Sequence, residues 1–282
     1  MYIVSRERIS AYTMQKLYDQ WIIRPFNHVF FFLFCIFLAI LIAATVIMRK
    51  KSENKRRWFI ALVCFLTIIV FTLYKYAIYL DTDYHLIRAD MGGFVIWGEL
   101  PLHLCNINML LIPIAVLGKN RILTGYCFFI STFSVVVALI MPGHGFNGYS
   151  LLLPRVMGFY VTHFLILISA IFLVSLDLYW PQYSDLIRIL FLTAFISLVV
   201  FGINMILRGT GLHDKANYFY TVETEGNAVL DFFYGLIPYP FLYMLPGLIV
   251  LLGYEFILTV ALSFMDRLAS FHETTNNRAG EI

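Results

Sequence analysis

A histidine, a thiol and an amide fall within four residues at His103-Leu104-Cys105-Asn106, at the head of a long apolar run. A cysteine thiolate is a strong nucleophile and forms acyl-enzyme thioesters when a base takes its proton. His103 stands two residues from Cys105, about 200° around a regular helix, so it is poorly placed to be that base. The base must come from another segment, and His163 in Phe159-Tyr160-Val161-Thr162-His163-Phe164 is the candidate. The bland alternative is a packing residue, because free cysteine is among the most buried side chains.

The elements that must position these residues are membrane helices. The 282 residues are 61% hydrophobic and 13% charged, with mean hydropathy +0.81. Soluble domains carry about 25% charged residues. The expected fold is therefore all-α: a polytopic membrane protein with one helical bundle. The net charge of +3 is small and clustered, which argues against nucleic acid as a partner. Cys35, Cys64, Cys105 and Cys127 show no CxxC or other ligand spacing, and no HExxH occurs. Neither a metal nor another cofactor is expected.

A bilayer core needs about 20 mainly apolar residues per helix. Seven runs qualify: 29–48, 57–80, 94–117, 121–141, 155–176, 187–207 and 240–265. Residues 1–28 form an N-terminal segment with no cleavage site, whose Tyr12, Met14, Leu17, Tyr18 and Trp21 suit a membrane interface. Residues 266–282 form a tail. Arg49 to Arg57 holds six basic residues in nine. That cluster places the loop in the cytoplasm, the N-terminus outside and the tail inside, in the cell membrane.

With a rise of 1.5 Å per residue, Cys105 and His163 lie roughly 10–12 Å below the outer boundary. Lys75, Glu99, His103, Asn106 and Asn204 fall in the same outer layer. Glu99, His103 and Asn106 share one face at i, i+4, i+7 if the helix is regular there. Lys75 and Glu99 suit an ion pair or a substrate contact. His103, Asn106 and Asn204 suit donors to an oxyanion. The outer segments add His144, in a Gly-rich turn, and Asn217 and Tyr218, in the long loop 208–239. Glu255 lies too deep for that layer. Single polar groups in membrane helices also serve as caps or interhelical glue.

The segment LPLHLCNINMLLIPIAVL, with the span order around it, resembles the YwaF family of bacterial integral membrane proteins. Phe159 to Phe164, Asn217-Tyr218-Phe219-Tyr220 and Pro238-Tyr239-Pro240 extend the likeness. That family is related to eukaryotic transmembrane acyltransferases that remodel ether phospholipids. The resemblance implies membrane-embedded acyl transfer, with Cys105 as nucleophile and His163 as base, and a phospholipid or lysolipid as substrate. Two other classes use the same polar layer: a transporter or channel, and a structural membrane protein. The absence of an internal repeat counts mildly against a transporter.

Overall fold

The computed structural model describes residues 18–87, 94–143 and 145–279, with side chains as far as Arg267. Tyr12, Met14, Leu17 and His144 lie outside the described residues. The architecture is all-helical, without a strand among the described residues. The helices are α1 (His28–Arg49), α2 (Glu53–Leu80), the short α3 (Thr82–Ile87), α4 (Leu104–Leu117), α5 (Arg121–Ile140), α6 (Pro154–Ser175), α7 (Tyr183–Gly209), α8 (Ala228–Leu236) and α9 (Leu245–Ala279).

Six helical stretches are long and apolar enough to cross a membrane: α1, α2, α5, α6, α7 and Leu242–Arg267, where a 3-10 turn runs into α9. The run at 94–117 differs from the regular helix expected there. Its helical part is α4, 14 residues long, or about 21 Å. That is short of a core about 30 Å thick. The stretch before it is a 3-10 turn at Ile96–Gly98 followed by irregular chain through Pro101. Glu99 and His103 therefore precede the helix, and the shared face of Glu99, His103 and Asn106 does not form. The last helix also runs on beyond residue 265, to Ala279.

The middle of the bundle is α6, whose buried residues run from Arg155 to Val174. It packs against α2 through Gly158, where a Cβ would come within 2.4 Å of Tyr74. That close approach brings Lys75 and His163 into one region. Helix α1 lies outside this core, with Phe37 stacked on Phe164 at 4.9 Å and 10°.

One end of the bundle is knitted by the basic residues. Arg49 Nε donates to the Ser175 carbonyl at 2.8 Å, and Arg57 Nη1 to the Val116 carbonyl at 2.6 Å. Arg56 Nη1 reaches the Leu176 carbonyl at 2.5 Å. The carbonyls at a helix C-terminus lack intrahelical partners and carry partial negative charge, so guanidinium groups suit them. At the other end Arg155 pairs with Asp81 and lies over Tyr149 at 4.8 Å. There the N-terminal segment joins the bundle: Ile22 bridges to Ser150, and Ile23 N–H donates to the Tyr149 carbonyl at 2.9 Å.

Candidate functional site

Helix α4 begins at Leu104 because Pro101 and the turn before it hold the preceding chain out of helical geometry. His103 is the N-cap residue and makes no side-chain cap. Cys105 is then the second residue of the helix. Amides of a helix's first turn have no intrahelical acceptor, and the N–H groups of Cys105 and Asn106 belong to that turn. This placement changes the meaning of the cysteine. A thiol at a helix N-terminus faces N–H groups that lack intrahelical acceptors.

Cys105 Sγ lies 3.4 Å from His163 Nε2 across the α4–α6 contact. His163 Nδ1 lies 2.7 Å from the Phe159 carbonyl. A carbonyl only accepts, so Nδ1 carries the hydrogen, and Nε2 keeps a lone pair toward the thiol. The Asn106 Oδ1 is a second acceptor for the thiol at 3.6 Å. Phe159 covers one side of the imidazole at 4.2 Å between centroids and itself stacks on Phe146 at 4.5 Å. Cys105 is 8% exposed and His163 5%.

Lys75 Nζ pairs with Glu99 Oε2 at 2.5 Å and lies over the rings of Tyr74 and Phe71 at 4.7 and 5.1 Å. The ammonium is within electrostatic reach of both Cys105 and His163. The pair thus ties α2 to the irregular chain before α4.

The remaining expected residues go to a different task. Asn204 bonds to the loop that follows its own helix. Its Oδ1 accepts from Tyr218 N–H at 3.0 Å, and its Nδ2 donates to the Tyr218 carbonyl and to Thr221 Oγ1, both at 2.8 Å. Both ends of the amide are committed within the protein, which leaves it no free donor for the oxyanion contact expected of it. Tyr218 in turn mends the break before α4. Its hydroxyl accepts from Leu100 N–H at 2.9 Å and donates to the Trp97 carbonyl at 2.6 Å. Burial pushes this phenol above its ordinary range, opposed by the Leu100 N–H bond. It stays protonated and able to donate. The His103 ring meets Tyr218 at 5.1 Å and Tyr220 at 6.1 Å.

The long loop is folded rather than loose. Asn217 Oδ1 accepts from the N–H groups of Val222 and Glu223, and its Nδ2 donates to Glu225. Glu223 pairs with Arg208 at 2.7 Å. Phe219 and Tyr220 hold left-handed φ values of 61° and 54°, a strained state for bulky residues that surrounding contacts must enforce. Tyr243 supplies one such contact through its hydroxyl to the Tyr220 carbonyl.

The TMEM164 family model matches residues 23–266. The chain belongs to the TMEM164 family. The match takes in every residue of the Cys105–His163 site and of the loop that braces it. No curated protein and no solved structure matches the chain. Arg155 and Asp81 escaped sequence reading, since nothing in the spacing joins residues 74 positions apart. The α4 N-terminus carried one signal, Pro101, which favours a helix start nearby.

Proposed function

We propose that the chain is an integral membrane acyltransferase that moves a fatty acyl chain between lipids through a Cys105 thioester. The observation that carries this reading is the Cys105–His163 contact, with the imidazole tautomer set by the Phe159 carbonyl. His163 Nε2 takes the thiol proton as Sγ attacks the ester carbonyl carbon of a phospholipid. The negative oxygen of the tetrahedral adduct faces the first-turn amides of α4 and the field of Lys75. The ester C–O bond breaks, and His163 returns the proton to the leaving alkoxide, releasing a lysolipid. A second lysolipid hydroxyl then attacks the thioester while His163 accepts its proton. The C–S bond breaks and the thiol is restored. Water in place of the acceptor makes the same site a lipid hydrolase.

The likeness of the PLHLC segment to the YwaF proteins, and through them to eukaryotic acyltransferases, supports the same reading. So does the burial of the pair, since a dry site strengthens charge stabilisation. In this proposal the chain crosses the cell membrane seven times. Helix α4 and the irregular chain before it together make one crossing, the N-terminus is outside, and the Arg49–Arg57 end is cytoplasmic. Non-helical chain at such depth is tolerated where its polar groups are satisfied within the protein, which is what Tyr218 does for Trp97 and Leu100. The test is incubation of the purified protein with a phospholipid radiolabelled in its acyl chain. Label should attach to the protein and be released by hydroxylamine. No label on a folded, lipid-reconstituted protein overturns the reading.

A further inference from the structure

Toward the opposite end of the bundle, α9 presents Leu251, Glu255 and Thr259 as one buried stripe at i, i+4, i+8. Glu255 is 0% exposed, and neither carboxylate oxygen has a hydrogen-bond partner among the described residues. Two nearby hydroxyls are committed elsewhere. Thr259 Oγ1 donates to the backbone carbonyl of Glu255 at 2.7 Å, and the Tyr254 hydroxyl donates to Thr132 Oγ1 at 2.8 Å. The ring of Phe256 meets that of Tyr183, the first residue of α7, at 5.7 Å, which fixes Glu255 near the end of the bundle where α7 begins.

The charged groups at that end pair among themselves: Arg49 and Arg56 with Asp177, and Arg57 with Glu53. Asp185, on α7, is buried and pairs with Arg121 of α5 at 2.6 Å. Arg121 also lies over the ring of Tyr179 at 5.3 Å. Tyr179, in the α6–α7 connection, is within electrostatic reach of Asp185, Arg121 and Glu255. Arg121 is spent on Asp185, and no guanidinium bonds to Glu255 among the described residues. A cavity of about 360 Å³ opens here, lined by Arg121, Asp177, Leu178, Tyr179 and Trp180. Tyr179 lines that cavity and is itself buried. Burial pushes its phenol above the ordinary range, with the Asp185 charge adding to the shift. It therefore keeps a hydroxyl hydrogen to pass or share.

A lone carboxylate in a dry, lipid-embedded bundle is too costly to persist without a counter-ion or a proton. We propose that Glu255 is a proton-binding site that exchanges with solvent through the cavity that Tyr179 lines. Bound proton and helix packing are then one equilibrium: α9 seats against α7 when the carboxyl is neutral, and loosens when it is ionised. The site is separate from Cys105 and stands whether or not the acyltransfer reading does.

The experiment is infrared spectroscopy of the full chain in lipid nanodiscs at neutral pH, comparing wild type with Glu255→Gln. The carbonyl stretch of a protonated carboxyl should be present in wild type and absent in E255Q. It should shift when the buffer is changed to D2O, and shift more slowly in Tyr179→Phe. Dicyclohexylcarbodiimide, which attacks protonated carboxyls in apolar surroundings, gives a second readout by mass spectrometry, with modification at Glu255 declining as pH is raised. The melting temperature of wild type should fall with rising pH more steeply than that of E255Q, which is neutral at every pH. An ionised carboxylate signal for Glu255 at neutral pH overturns the proposal. A band that never exchanges, or that exchanges equally fast in Y179F, overturns the route through Tyr179. Equal pH dependence of melting in the two proteins overturns the coupling to packing.

Discussion

Asn204 holds Tyr218 by both its N–H and its carbonyl, at 3.0 and 2.8 Å. Through Tyr218 it reaches the Trp97 carbonyl and the Leu100 N–H, the two sides of the broken chain that leads into Cys105. One amide on α7 therefore governs the start of α4. Asn204→Ala should leave the buried Tyr218 N–H unpaired, at a cost of about 1–3 kcal/mol. The melting temperature should fall, and Cys105 should react faster with a small membrane-permeant maleimide. Unchanged alkylation in a destabilised variant would show that the loop does not shield the thiol.

The proposed chemistry makes Cys105 irreplaceable and the other thiols dispensable. Cys105→Ala should abolish acyl labelling, and Cys105→Ser should leave at most a slow oxygen ester that resists hydroxylamine. His163→Ala should cost about 10²–10⁴ in rate, the usual worth of a general base, while the protein stays folded. Cys64 and Cys127 are buried and Cys35 faces outward, so their joint replacement by Ala should retain labelling. Full activity of the Cys105→Ala variant rejects the mechanism.

Lys75 and Glu99 are 20% and 12% exposed at their side chains. Losing one partner should cost more than the roughly 1 kcal/mol upper end for an exposed pair and less than the ~3–5 kcal/mol seen for a buried one. Glu99→Gln should destabilise more than the double variant Glu99→Gln, Lys75→Met, because the single change leaves an ammonium unpaired. A double-mutant cycle on melting temperature measures this. In the acyl-labelling assay Lys75→Met should slow the reaction even where stability is restored by Glu99→Gln.

The proposed topology predicts that a reporter fused after Ile282 is active only in the cytoplasm, and that one inserted in the loop after α7 is active only outside. An external C-terminus would remove one crossing, and α4 would then be a re-entrant element rather than a span.

Much of this arrangement was legible in the sequence, for a physical reason. Long apolar runs leave little choice of structure in a bilayer, so the helices at 29–48, 57–80, 121–141, 155–176 and 187–207 follow from composition. The meeting of Cys105 and His163 followed from counting rise per residue on two spans running the same way. Depth counting fails where a helix is not regular. The break before Leu104 depends on Tyr218, more than a hundred residues later, and no local pattern encodes that bond. Asn204 shows a second limit. Depth put it in the right layer, but its partner was settled by the fold of the following loop. Glu255 was visible as a deep carboxyl, whereas its lack of any partner belongs only to the three-dimensional packing.

The arginines that close one end of the bundle also set an order of assembly. Arg49 and Arg56 bind carbonyls at Ser175 and Leu176, and both reach Asp177, while Arg57 binds Val116. A chain emerging from the ribosome has placed its first hairpin long before those acceptors exist. The α1–α2 hairpin should therefore lack these contacts until α4 and then α6 arrive to engage it. Truncated chains ending before residue 175 should insert with normal orientation yet stay open to proteases at the first loop. Resistance should come in two steps, one as each acceptor helix is completed.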